Sequence, residues 1–184
     1  LWNCQALAAA LGEIIEEDKL VKSLKNYQHY FYSFLTDLYR NKLGFEEKRE
    51  SDIKLIESLL SYLQDSKTDY TNFSRNLHKV HETKNNLFQD EKGKAWLEKF
   101  QERFKEEKIS KETSQEKMLT NNPKFILRNY LAHQAIKKAE SGDFSEVELL
   151  ANILNKPFDE QSKYESYSEP SPEWGKSLEI SCSS

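Results

Sequence analysis

The sequence predicts an all-α fold, in which several helices form one domain and an extended C-terminal tail follows it. Apolar residues recur at helical spacing through most of the chain. Only 5 Gly and 4 Pro interrupt the 184 residues, which disfavours sandwiches, barrels and Gly-rich phosphate loops. Aromatic residues make up 12%, too many for a disordered chain, and this length suffices to bury a core.

Three helices are predicted in the first third of the chain. An apolar period that begins at the first residue predicts a helix over 1–17. Asp18 is placed to cap the second helix, and Gly44 stands where a glycine ends one. Ser51 or Asp52 precedes the apolar stripe of the third helix and is its predicted N-cap.

The middle of the chain predicts one further helix, a loop and two charged helices. Asp69 is the predicted N-cap of the fourth helix. The polar stretch 82–93 predicts a loop. Trp96 and Phe100 lie on the apolar face of the fifth helix, whose opposite face is dense in charge and therefore solvated. A short charged helix over 112–119 follows.

Two helices are predicted before the tail. The pair Asn122-Pro123 combines a capping residue with a proline at the first helical position, and Gly142 is placed to close that helix. Ser145 and Glu148 have the spacing of a capping box and predict the start of the last helix.

The character of the sequence changes after Pro157, which predicts a helical domain over 1–157 and a tail over 158–184. Residues 159–184 contain six acidic residues and two lysines, which accounts for the whole net charge of −4. This segment lacks a helical period but carries Phe158, Tyr164, Tyr167, Trp174, Leu178 and Ile180. Because a merely solvated tail would not hold so many apolar groups, we expect an extended segment that docks on a surface.

Composition excludes several classes of protein. The pI of about 5.7 shows no basic excess, so we expect no nucleic-acid partner. Two cysteines are too few for a disulfide framework, and no apolar run reaches the length of a membrane span. We therefore expect a soluble, cytoplasmic protein. The helical period starts at a first residue that is not Met, so we expect a piece of a longer protein.

A few residues are candidates for chemistry, each with an ordinary alternative. His78 and His81 share a helix face and could both bind one metal ion. No third ligand is evident in the sequence, so the favoured interpretation is a solvent-facing pair of histidines near a helix end. Arg128 is placed to bind an anion or to pair with a carboxylate or a helix C-terminus. Cys182 is either an idle thiol or a redox- or ligand-facing one on a mobile arm. Cys4 lies on an apolar face and is predicted to be packed.

Longer stretches of the chain resemble the C-terminal region of the selenoprotein O family, in the same order and over essentially its whole length. The stretches are 122–132 (NPKFILRNYLA), 135–136, 139–147 (AESGDFSEV), 157–161 (PFDEQ), Pro172-Glu173-Trp174 and the terminal Ser181-Cys182-Ser183-Ser184. Leu1-Trp2-Asn3, Asp69-Tyr70-Thr71 with Phe73, and Ala95-Trp96-Leu97 are similar to that family as well.

The resemblance implies a parent enzyme with a protein-kinase-like fold. Such an enzyme binds ATP in a flipped orientation and, with Mg²⁺ or Mn²⁺, transfers AMP to Ser, Thr or Tyr hydroxyls of proteins. The nucleotide- and metal-binding residues of the family lie upstream of the region matched here. The resemblance therefore implies a helical C-terminal domain that packs against the kinase-like lobes and has no catalytic or cofactor residues of its own. Lysine- and asparagine-rich usage indicates a bacterial source.

One functional residue carries over from the resemblance. Family members end with a selenocysteine or cysteine in a pattern like the one around Cys182. This implies a redox role, with a disulfide to a cysteine of the kinase-like part. The alternative for the whole chain is a stand-alone helical module that binds a partner protein and catalyses nothing.

Overall fold

The computed structural model describes residues 1–82 and 86–178, and these residues are helices and connecting segments without a strand. The prediction of an all-α chain is confirmed. The α-helices are α1 (Trp2–Leu11), α2 (Glu17–Lys42), α3 (Asp52–Ser66), α4 (Tyr70–Asn76), α5 (Glu91–Phe104), α6 (Lys111–Asn121), α7 (Asn129–Glu140) and α8 (Ser145–Leu154). Three 3₁₀-helices span Leu77–His81, Ser162–Ser168 and Glu173–Gly175. Within the described ranges, no helix is both long and apolar enough to cross a bilayer.

The main core lies between α3, α5, α6 and the segment that runs from α4 into the first 3₁₀-helix. Phe45 and Phe100 stack at its centre with their ring centroids 5.1 Å apart, and both are fully buried. Trp96 Nε1 donates a hydrogen bond of 3.0 Å to the carbonyl oxygen of Leu55, so the indole is buried without an unpaired donor. The other large buried members are Leu43, Leu55, Ile56, Leu59, Leu63, Phe73, Leu77, Val80, Phe88 and Met118.

A smaller core joins α7 and α8. Tyr130, Leu131 and Ala135 of α7 pack against Leu150 of α8. Three partly buried side chains pack on this cluster: Leu154, Tyr167 and Leu178. The described members of the second core all follow those of the main core in the sequence, since the main core ends at Met118 and the second core begins at Tyr130.

Several predicted helix boundaries are confirmed. Asp69 caps α4, because its side chain accepts a hydrogen bond from the Asn72 N–H at 2.9 Å. Gly44 follows the end of α2 with φ +72°, and Gly142 follows α7 with φ +85°, a region that favours glycine. Residues 82 and 86–90 lie in the loop predicted over 82–93, but its predicted end is wrong, because α5 already begins at Glu91. Residues 83–85 lie outside the described residues.

The predicted helix start at Asn122-Pro123 is wrong, since α7 begins at Asn129. Asn122 is fully buried, and its Nδ2 donates hydrogen bonds to the carbonyl oxygens of Lys42 and Met118, both at 2.9 Å. The N–H groups of Lys124 and Phe125 donate to the carbonyl oxygen of Pro157. These contacts between distant segments hold residues 122–128 in a non-helical path.

Other boundaries differ for local reasons. No capping box opens α8, because the Ser145 N–H donates to Asp143 Oδ1 at 2.9 Å and the N-cap is Phe144. The first helix ends at Leu11 rather than at 17, and α2 begins at Glu17. The short helix predicted over 112–119 is α6, which also buries Ser114 and Met118.

Candidate functional site

The first candidate site is a broad apolar surface on α1 and α2, neither of which contains a buried residue. Tyr30 and Phe34 are each 67% exposed and, four residues apart, lie on the same side of α2. The exposed large apolar residues of this surface are Trp2, Leu7, Ile14, Val21, Tyr30, Phe31, Tyr32, Phe34 and Leu38. Soluble monomers rarely leave so many large apolar side chains of two neighbouring helices in water, so the α1–α2 apolar surface is a candidate interface.

The second candidate site is a charged cluster where α4 and the connector before α7 meet the tail. Glu160 accepts hydrogen bonds from Arg75 Nη2 at 2.7 Å and from Lys124 Nζ at 2.6 Å. Lys124 Nζ also donates to Glu165 at 2.7 Å. The hydrogen bonds from Lys124 and Arg75 lower the pKa of Glu160 to about 2. We call Arg75, Lys124, Glu160 and Glu165 the tail-anchoring cluster.

The two cations of this cluster are fixed by the body of the protein. Arg75 lies on α4, and its Nη1 donates to the carbonyl oxygens of Leu119 at 2.8 Å and Asn122 at 3.1 Å. These are carbonyls at the C-terminal end of α6, where a cation is favoured. The Arg75 and Lys124 side chains are 10% and 12% exposed, whereas Glu160 is 65% exposed. The cations therefore belong to the body, and the carboxylates reach them from the solvent side.

A polar cavity of about 420 Å³ lies beside the tail-anchoring cluster. Its walls contain both cations and the two glutamates of the cluster, together with Asn72, Asn76, His78, Lys79, Ser168 and Glu169. The cavity therefore opens between α4 and the tail beside the ion pairs that join them.

Arg128 pairs with a carboxylate, which is one of the roles that the sequence left open for it. Its Nη1 and Nη2 donate to the two carboxylate oxygens of Asp69 at 2.7 and 3.0 Å, and Nη2 also donates to Asn72 Oδ1. The hydrogen bond from Arg128 is the main cause that lowers the pKa of Asp69. Arg128 thereby holds the start of α7 against the start of α4.

His78 and His81 bond to different partners and do not form a metal site with a third ligand. His78 Nδ1 is 2.9 Å from the carbonyl oxygen of Arg75, and His81 Nε2 is 3.1 Å from Ser114 Oγ. Both rings are half-buried rather than solvent-facing, and burial against Phe104 lowers the pKa of His81 to about 4. Across the described part of the chain, no group of three or more His, Cys, Asp or Glu residues is placed to hold a metal ion.

Only one of the two cysteines lies within the described residues. Cys4 is a free thiol of intermediate exposure on α1. Cys182, the predicted redox residue, lies outside the described residues. The last described residue is Leu178, whose carbonyl oxygen accepts a hydrogen bond of 3.1 Å from Asn129 Nδ2 at the start of α7. The described chain therefore leads to the N-terminal end of α7.

Sequence reasoning missed the tail-anchoring cluster. Arg75 and Glu160 are 85 positions apart, and Lys124 and Glu160 are 36 apart, so no local spacing joins them. The one signal that points to them is charge, because the helical body is neutral and the tail carries the acidic excess.

Comparison with known proteins identifies relatives of the whole chain. The family model described as "Protein adenylyltransferase SelO" matches residues 1–155. The chain is 43% identical over 189 residues to a protein of Aliivibrio fischeri, and 43% identical over 195 residues to one of Vibrio parahaemolyticus. A Pseudomonas fluorescens protein is 43% identical over 190 residues. All three relatives carry the name "Protein nucleotidyltransferase YdiU".

These alignments cover 100% of this chain but only 39%, 40% and 39% of the three relatives' own lengths. The chain thus spans about two fifths of the length of the curated relatives it matches. The relatives contain a further part of comparable or greater size that has no counterpart here.

Proposed function

Since the chain belongs to the SelO family, we propose that it forms the C-terminal helical part of a protein adenylyltransferase with a kinase-like fold. In this proposal the longer protein acts in the bacterial cytoplasm and transfers AMP from ATP to Ser, Thr or Tyr hydroxyls of proteins, releasing pyrophosphate. The resemblance to the family implies that its nucleotide- and metal-binding residues lie upstream of the region matched here. We therefore assign the binding of ATP and of Mg²⁺ or Mn²⁺ to the part of the longer protein that this chain does not contain.

The observation that carries the proposal is the α1–α2 apolar surface. Burial of apolar area drives association at roughly 25 cal/mol per Å², and this surface remains uncovered in the chain alone. The relatives' additional length supplies a partner in the same polypeptide. We propose that the kinase-like part covers this surface and that the helical part thereby supports the catalytic lobes.

The proposal is tested by adding this chain to the separately produced remainder of the longer protein and measuring AMP transfer. We expect the chain to restore or raise the transfer rate. The double substitution Tyr30→Ser with Phe34→Ser removes two of the most exposed side chains of the surface and should abolish the effect. Phe144→Ser is the matched control, because Phe144 is 58% exposed but lies next to α8.

The rival proposal is a stand-alone helical module that binds a partner protein and has no part in catalysis. It predicts a chain that stays monomeric in water and has no effect on the remainder of the longer protein. The exposed aromatic residues of α2 weigh against it, because they favour self-association of the isolated chain.

We further propose that residues 158–184 act as a docked tail that positions Cys182 for redox chemistry. The hydrogen bonds of Glu160 and Glu165 to the body support docking, as does the packing of Tyr167 and Leu178 on the second core. In the proposed step, Cys182 and a cysteine of the kinase-like part lose two protons. They pass two electrons to a disulfide-class oxidant and form one S–S bond.

The redox proposal is tested on the full-length protein by mass mapping of disulfides after oxidation with glutathione disulfide. Cys182→Ser should remove one cross-link between the helical part and the kinase-like part. Cys4→Ser is the control, since Cys4 lies on α1, and it should leave that cross-link in place. A cross-link that survives Cys182→Ser would refute the assignment.

A further inference from the structure

The contact through the tail-anchoring cluster is charged and reached by water, in contrast to the packing of Tyr167 and Leu178 on the second core. Between 158 and 178, Gly175 is the one fully buried residue, and the 3₁₀-helix Ser162–Ser168 buries none. The acidic side chains of the cluster stay more than half exposed, at 65% for Glu160 and 57% for Glu165. Water and ions therefore reach the ion pairs that join this segment to α4 and the connector.

The two sides of the cluster are held differently: the cations are attached to the helical body, whereas the glutamates belong to the tail. Arg75 also donates hydrogen bonds to the carbonyl oxygens of Leu119 and Asn122, so we expect this cation to retain partners in the body when Glu160 moves away. Lys124 is tied to the body through its backbone N–H, which donates to Pro157 O. The glutamates have no comparable anchor in the body, so release separates them from fixed cations.

We propose that Arg75 and Lys124 hold Glu160 and Glu165 in a salt-labile latch that sets how tightly residues 160–178 bind the helical body. The cavity of about 420 Å³ beside the pairs gives mobile anions access to both cations. Because the carboxylates of these pairs are more than half exposed, salt screens the pairs as the Debye length falls, so higher ionic strength should open the latch. Its consequence for Cys182 depends on the redox role proposed above, whereas the latch itself does not.

The test is limited proteolysis of the 184-residue chain with chymotrypsin, read by mass spectrometry after Tyr164, Tyr167 and Trp174. The double substitution Glu160→Gln with Glu165→Gln removes both negative charges and leaves the three aromatic residues unchanged. Because Glu165 directly follows Tyr164, the rates are compared at Tyr167 and Trp174. At an ionic strength of about 0.01 M, cleavage of the double variant should be about tenfold faster than that of the wild type. At about 1 M the two rates should converge, because salt has already opened the wild-type latch.

Taking the ratio of variant to wild type at each salt concentration cancels the effect of salt on the protease. Glu173→Gln is the matched control, because Glu173 is 89% exposed and pairs with Lys176 of the same segment, so its ratio should stay near one. Cleavage after Tyr62 in α3 shows whether the helical body has unfolded. Its rate should not increase in any variant.

Two results would overturn the proposal. One is a ratio near one at low salt, which would mean that the pairs do not hold the segment. The other is a high ratio that does not fall at high salt, which would mean that the contact is not salt-labile. Neither result bears on AMP transfer or on the cross-link of Cys182, so the failure of the latch is distinguishable from the failure of the proposed function.

Discussion

Arg103 Nε donates a 2.6 Å hydrogen bond to Asp52 Oδ1, and the two side chains are only 5% and 0% exposed. The guanidinium also donates from Nη2 to the carbonyl oxygen of Glu47 at 2.6 Å and lies 4.4 Å above the ring of Phe45. Glu107 is a second carboxylate partner, at 2.7 Å. One arginine of α5 thus fixes the segment between α2 and α3.

Arg103→Ala should reduce the free energy of unfolding by about 3–5 kcal/mol, because it leaves Asp52 as a buried and unpaired charge. The measurement is urea unfolding of the variant and the wild type. Arg49→Ala is the control, since Arg49 and its partner Glu106 are 36% and 53% exposed and such pairs contribute at most about 1 kcal/mol. Equal losses in the two variants would show that burial does not decide the strength of these pairs.

Gly44→Ala should destabilise the chain more than Gly142→Ala does. Both glycines have positive φ, so each substitution strains the backbone by about 1 kcal/mol. A Cβ at Gly44 would also clash with Ser114 Oγ and lie 2.7 Å from the Ser114 carbonyl oxygen, whereas a Cβ at Gly142 meets nothing within 4 Å. Overpacking adds about 1–3 kcal/mol at Gly44 alone. Thermal unfolding of the two variants measures the difference, and a larger loss at Gly142 would contradict it.

His81 should make stability depend on pH between about 6.5 and about 4. Its pKa in the folded chain is lowered to about 4 from the ordinary 6.5, chiefly by burial and then by Lys111. The unfolded chain therefore takes up the proton first, and the free energy of unfolding falls as pH drops through this range. His81→Gln removes the titrating ring, so the variant should lose this part of the pH dependence in denaturant titrations. An unchanged pH profile would show that His81 does not titrate in this window.

The helices could be predicted where their signals are local. Asp69 as a cap and the glycines after α2 and α7 depend on the residues next to them, and the structure confirms all three. The start of α7 could not be predicted in this way. Asn122 and Pro123 carry a strong local start signal, yet the side chain of Asn122 is used to close α6 and bind α2.

The candidate sites, too, could be predicted only as far as local sequence determines them. Pairing of Arg128 with a carboxylate was predictable as a class of contact, but its partner Asp69 lies 59 positions away and only the fold selects it. The tail-anchoring cluster joins α4, the connector before α7 and the tail, so no window of sequence contains it. Cys182 stays a prediction, because it lies outside the described residues.

The central claim is that the α1–α2 apolar surface is covered by the remainder of the longer protein. Hydroxyl-radical footprinting of Tyr30, Tyr32 and Phe34 in this chain and in the full-length protein tests it most directly, with the exposed Phe144 as the reference. The account predicts that the three α2 side chains are modified rapidly in the isolated chain and are strongly protected in the full-length protein, while modification of Phe144 stays the same. Equal modification of the α2 residues in both proteins would contradict it.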